Sequence, residues 1–202
     1  MSVRTRLLTG LAFALSVILP TWATTLQQLT LDEMAQQSTA IVRARVIGSH
    51  AGSHAGTHGT NIYTYFELQV IETWKAAGPT GQPTTEVAVP GGAFDGIRQS
   101  VTGAPELKPG QEYVLFLWTS RSGLTQVIGL SQGVFQLSEE GSAGGKGVAV
   151  ARRPSASELM LNRSGLPVDD RAVNMPLQDL RTHVRQALAS AKLGVAKLGV
   201  AK

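Results

Sequence analysis

The stretch Ile62 to Trp74, IYTYFELQVIETW, decides what kind of fold this chain forms. Aromatic and β-branched residues crowd it, and such residues fit a pleated strand better than a helix. Phe66, Leu68 and Val70 share one parity, and Glu67, Gln69 and Ile71 the other, which is the strand period of two. Upstream, Ala40 to Ile47 (AIVRARVI) alternates in the same way, with Val42, Ala44 and Val46 on one face and Arg43 and Arg45 on the other. Downstream, Glu86 to Pro90 (EVAVP) predicts a third strand, stopped by Pro90-Gly91-Gly92.

Lys108-Pro109-Gly110 is a turn into a fourth strand, Glu112 to Thr119 (EYVLFLWT), whose apolar run Val114 to Trp118 predicts burial on both faces. After Arg121-Ser122-Gly123, residues Gln126 to Leu130 and Val134 to Leu137 predict a fifth strand bent at Gly129 and Gly133. Five strands joined by turns predict a mainly β fold, a small five-stranded OB-like barrel spanning residues 24–138.

Helices flank it. Thr30 can cap a short N-terminal helix whose Asp32 and Glu33 suit the positive end of the dipole. Pro176 opens an amphipathic C-terminal helix over 176–190, with Leu177, Leu180, Val184 and Leu188 in one stripe to pack on the barrel or plug its end. Between them, 139–175 starts Gly/Ser-rich and predicts a flexible, irregular segment. The tail 191–202, AKLGVAKLGVAK, repeats every five residues, a period of neither helix nor strand, and predicts disorder.

The N-terminus predicts export. Arg4 and Arg6 precede the apolar run Leu7 to Leu19, Pro20 breaks it, and Thr21-Trp22-Ala23 offers small residues at a cleavage site. The run is shorter than the roughly 20 residues a membrane span needs, so residues 1–23 are expected to be a signal peptide and the protein periplasmic or secreted, free of the membrane after cleavage. Of the formal charge of +4, cleavage would remove Arg4 and Arg6, half the excess, so the basic balance gives no case for nucleic acid. With no cysteine, stability must come from an ordinary core.

Several stretches resemble chemistry. In Gly48 to Thr60 (GSHAGSHAGTHGT), His50, His54 and His58 recur every fourth residue, which on a helix would place them on one face for zinc. Gly52, Gly56 and Gly59 oppose a helix, and no acidic or amide residue of the stretch orients a ring nitrogen. The duplicated SHAG reads as an expanded hairpin loop, with at most weak zinc, copper or nickel binding as the alternative. Gly129-Leu-Ser-Gln-Gly133 matches a nucleophile elbow, and Asp169, Asp170 or Asp179 with His183 would complete a triad around Ser131. The elbow, however, needs a following helix, where a strand is predicted. Gly144-Gly-Lys-Gly147 lacks the rest of a phosphate loop, and the pairs Glu139-Glu140 and Asp169-Asp170 diverge in extended chain.

Thr39 to Val46 (TAIVRARV), Tyr65 to Lys75 (YFELQVIETWK) and Gly110 to Leu117 (GQEYVLFL) together resemble the OB-fold barrel of tissue inhibitors of metalloproteinases and netrin-type modules, as it occurs in a set of bacterial secreted proteins. The resemblance spans roughly residues 38–137 and implies an extracytoplasmic OB-like barrel. Those inhibitors chelate the protease zinc through an N-terminal cysteine. This chain has none, and cleavage would leave Thr24-Thr25 first, so their inhibitory residues do not carry over.

The expected function is therefore a non-enzymatic binding domain, without catalytic residues or cofactor, that engages a protein partner, a protease being one candidate. Its expected surface joins Tyr63 and Tyr65 of the second strand to Phe94, Asp95 and Arg98 of the Ala93–Gln99 loop. Metal binding through His50, His54 and His58 and a hydrolase built on Ser131 are the alternatives.

Overall fold

The computed structural model describes residues 25–56, 59–76, 85–141, 147–156 and 158–199; the predicted signal peptide lies outside them. In chain order the elements are β1 (Thr25–Gln27), α1 (Leu31–Gln37), β2 (Ala40–Gly56), β3 (Gly59–Lys75), β4 (Glu86–Pro90), β5 (Gly92–Phe94) and β6 (Ile97–Gln99). They continue with β7 (Glu112–Thr119), β8 (Thr125–Val127), a 3-10 turn (Leu130–Gly133), β9 (Val134–Glu140), β10 (Val148–Arg153), β11 (Leu159–Leu161), β12 (Pro167–Val168), β13 (Val173–Pro176) and α2 (Leu177–Gly199). The protein is mainly β, and among the described residues no helix is long and apolar enough to cross a membrane.

Eight strands form one large sheet in the order β13-β10-β9-β7-β2-β3-β4-β8. β8 also pairs antiparallel with β7, Leu117 opposite Val127, and touches β4 in parallel at Ala88 and Gln126. β2 and β3 form a long antiparallel hairpin from Ile41 opposite Lys75 to Gly56 opposite Gly59, with bulges at Ile41/Val42, Arg43/Ala44 and Val46/Gly48.

The expected double burial of the fourth strand is seen in β7. Tyr113, Leu115 and Leu117 pack with Val42, Ala44, Val46, Phe66, Leu68 and Val87. Val114 and Phe116 face the opposite cluster, where Met34 and Ala35 of α1 meet Leu180, Val184 and Ala187 of α2. Each face removes apolar surface from water at about 25 cal/mol per Å2, which makes β7 the strand on which both layers depend. Trp118 ends this run but is exposed, so double burial stops at Leu117.

Four sequence expectations need correction. The bent fifth strand is two strands on the same side of β7: Gly129 (φ 62) and Leu130 (φ 54) turn left-handed and the 3-10 turn separates them. Residues 139–175, expected to be irregular, carry β10 to β13; residues 142–146 lie outside the described set. The tail is helical through Gly199, because alanine, lysine and leucine favour a helix even where their spacing gives no constant apolar face. The stretch from Gly48 to Gly56 is strand, not loop.

Local chemistry explains the ends. Thr30 Oγ1 accepts the Glu33 N–H while Glu33 accepts the Thr30 N–H, a reciprocal capping box on α1. Lys75 Nζ donates to the carbonyls of Ala35 and Gln36, so the end of β3 satisfies the carbonyl end of α1. Gln132, buried in the 3-10 turn, accepts the Leu29 N–H at 2.8 Å and donates to Gln27 O at 3.0 Å, which fastens β1 to the sheet.

Candidate functional site

The strand character of Gly48 to Gly56 comes from its partner. Glycine, serine and alanine are weak strand formers, but Ile62 to Phe66 is a strong strand, and each of its residues pairs back onto β2. Because a four-residue repeat is two strand periods, the duplicated SHAG keeps His50 and His54 on one face. They lie there with Asn61, Tyr63, Tyr65 and Glu67 of β3.

His50 stacks on Tyr65 with ring centroids 5.2 Å apart and planes 12° from parallel, and His54 meets Tyr63 edge-on at 6.3 Å. Two glycines make room. A Cβ at Gly52 would stand 3.0 Å from Tyr65 Cε2, and one at Gly48 would stand 3.1 Å from Glu67 Oε2. Two carboxylates face the His50 ring: Glu67 Oε1 is 4.0 Å from Nδ1 and Glu86 Oε2 is 3.8 Å from Nε2. The expectation that no acid orients these histidines holds only for the loop sequence; both acids arrive from neighbouring strands. Burial, and then the charges of Glu86 and Tyr63, push the Tyr65 phenol up, so it stays a neutral hydroxyl.

Four residues of strand separate His50 and His54 by about 13 Å, too far to share an ion within one chain. Accordingly, no cluster of three histidine, cysteine or acidic residues suited to a metal occurs among the described residues, and His58 lies outside them.

The residues of the expected protein-binding surface come from two elements, β3 and the Ala93–Gln99 segment. β5 and β6 form a hairpin with Asp95 (φ 50) and Gly96 (φ 74) at its turn, the left-handed pair that a tight two-residue hairpin requires. It leans on β3 through the parity opposite to the tyrosines: Thr64 Oγ1 donates to Gly91 O, Gln99 Oε1 accepts the Ile62 N–H, and a Cβ at Gly92 would be 2.7 Å from Thr64 Oγ1. Tyr63 and Tyr65 thus belong with the histidines, half-buried, while Phe94, Asp95 and Arg98 stand exposed on the short hairpin. Ile97, which sequence reasoning missed, is opposite Phe94 and 64% exposed; its place beside an Asp-Gly turn was the available signal.

The hydrolase constellation does not assemble. Ser131 sits in the 3-10 turn and β9 follows it, whereas an elbow presents its serine before a helix. His183 Nε2 lies 2.7 Å from Asp32 Oδ1, on α1. His183 also borders a cavity of ≈ 820 Å3 whose lining includes Leu29, Met34, Phe135, Arg153 and Asp170 but not Ser131. Asp170 instead holds Arg153 in a two-pronged buried ion pair at 2.7 and 3.0 Å. Burial works against its charge, but the bonds from Arg153 and the Ala156 N–H prevail and hold its carboxyl below the usual range.

The chain matches no known family model, and no curated protein matches it.

Proposed function

We propose that the protein is an extracytoplasmic, non-enzymatic domain that binds a protein partner from an OB-like barrel. Support for the barrel comes from the pairing circuit β7-β2-β3-β4-β8-β7, with β4 and β8 parallel, and from the apolar cluster those five strands share. Support for export rests on the basic-apolar-small pattern of residues 1–23.

The observation that carries the binding function is the β5–β6 tip. Phe94 and Ile97 face each other across a tight turn, both exposed, flanked by exposed Asp95 and Arg98. Large apolar side chains held out on a rigid hairpin with a charged rim have the anatomy of a protein contact: an anchor excluded from water on binding and polar neighbours that set orientation. A partner strand or groove with an apolar centre and mixed charge fits it; protease association would be one case of this.

The test is capture from culture supernatant with mature protein as bait, comparing the parent with Phe94→Ser and Ile97→Ser. A specific protein retained by the parent and lost with both variants is expected. Equal retention by all three, or none by the parent, removes this function.

A further inference from the structure

We infer that two copies of this chain pair edge to edge along Gly48–Gly56 of β2 and that zinc bridges His50 of one copy to His54 of the other. The inference uses a different surface from the Phe94–Ile97 tip and does not depend on it.

The edge is open. β7 covers β2 only from Ala40 to Arg45, so from Gly48 to Gly56 the side of β2 away from β3 has no strand partner among the described residues. Half of the backbone N–H and C=O groups of such a strand point outward, a template for a further strand. The segment GSHAGSHAG has no lysine, proline or acidic residue, the devices that ordinarily protect an edge. Its small uncharged side chains oppose neither a close approach nor a second copy of themselves.

Symmetry then fixes the register. Two antiparallel copies related by a two-fold axis normal to the sheet keep the same face up, and full use of the free stretch centres the pairing on Gly52. In that register Gly48 meets Gly56 and Gly52 meets itself, while His50 of each copy meets His54 of the other. Directly opposed residues have Cβ atoms about 4.5–5.5 Å apart, a span across which two imidazoles reach one zinc at about 2.0–2.1 Å from each nitrogen. The four-residue duplication that separates the histidines by about 13 Å within a chain is what makes them neighbours between chains.

The surroundings of His50 suit the ion. Glu67 of β3 and Glu86 of β4 lie 4.0 and 3.8 Å from its two ring nitrogens, so when one nitrogen takes the metal a carboxylate stands ready to accept from the other. Reaching an ion at the seam turns the His50 ring from its stack on Tyr65 toward the open edge of β2. Imidazole with carboxylate oxygen is a donor set that zinc accepts. The two-fold axis makes two equivalent sites.

Sedimentation equilibrium of the chain, with zinc and with a chelator, tests this. The expected result is a monomer in chelator and, with zinc, a dimer holding one ion per chain. His50→Ala and His54→Ala should each weaken zinc-driven dimerisation at least tenfold. Mixed in equal amounts they should regain it, because the mixed dimer has one intact His50–His54 pair, now with one ion per dimer. His58→Ala should behave as the parent. A zinc-bound monomer, undiminished dimerisation in the double His50/His54 variant, failure of the mixture to recover, or loss with His58→Ala would each overturn the inference.

Discussion

Removing Asp170 should destabilise the protein more than its place in a segment expected to be irregular suggests. In the fold its carboxylate is 3% exposed and accepts three N–H bonds, two from Arg153 and one from Ala156. Asp170→Ala leaves the Arg153 guanidinium buried with the Arg171 carbonyl as its remaining partner, beside an Nε that already lacks one. Stranding one charge of a buried pair costs about 3–5 kcal/mol. At about 2–4 °C per kcal/mol for a chain of this size, Tm should fall by about 6–20 °C. Replacing both partners with apolar residues, Arg153→Met with Asp170→Leu, should recover most of that, since the desolvated charge is then gone. The folded-state pKa of Asp170 is lowered, so its contribution is complete above the unfolded value near 3.9 and is lost as pH falls through the lower folded value. The penalty for Asp170→Ala should therefore be full at pH 7 and shrink below about pH 4. Thermal and urea unfolding of the parent, Asp170→Ala and the cycle of Arg153→Met, Asp170→Leu and their double variant measure this. A Tm within about 2 °C of the parent for Asp170→Ala, or a coupling below about 0.5 kcal/mol, would refute the reasoning.

Gly133→Ala should cost about 1–3 kcal/mol by overpacking, because its Cβ would stand 2.8 Å from Ile128 O and 3.0 Å from Phe116 O, backbone atoms that cannot swing aside; a lower urea midpoint at constant slope is the readout. Gln132→Leu keeps volume but leaves the Leu29 N–H and Gln27 O unpaired, so about 1–3 kcal/mol should be lost and amide exchange should quicken at residues 25–29 before it does in β7. Leu180→Ala, at a fully buried position of α2, should cost about 2–5 kcal/mol by calorimetry or urea unfolding. Glu112→Gln should cost at most about 1 kcal/mol. Burial opposes its charge, the half-exposed Arg43 and Arg45 outweigh burial and lower its pKa, and the small loss should vanish in high salt.

What the sequence revealed and what it hid divide along one line, whether the cause of a residue's conformation lies inside its own window. Val42, Ala44 and Val46 alternate because one face is wet, and Val114 to Leu117 are apolar throughout because neither face is, so both strands and their burial could be read directly. Val148 to Arg153 fails that test: Arg153 occupies a buried position of β10, and the residue that makes this tolerable, Asp170, lies beyond two further strands. The histidines fail it twice. Gly48 to Gly56 has a turn's composition and becomes strand because Ile62 to Phe66 needs a neighbour, and the acids at His50 come from β3 and β4. The parity of β3 alone, however, separates Tyr63 and Tyr65 from Ile62 and Thr64. The β5–β6 hairpin leans on Thr64, and the tyrosines lie on the face of β3 opposite that contact. Composition marks which residues can take part in a site; strand register decides which of them meet.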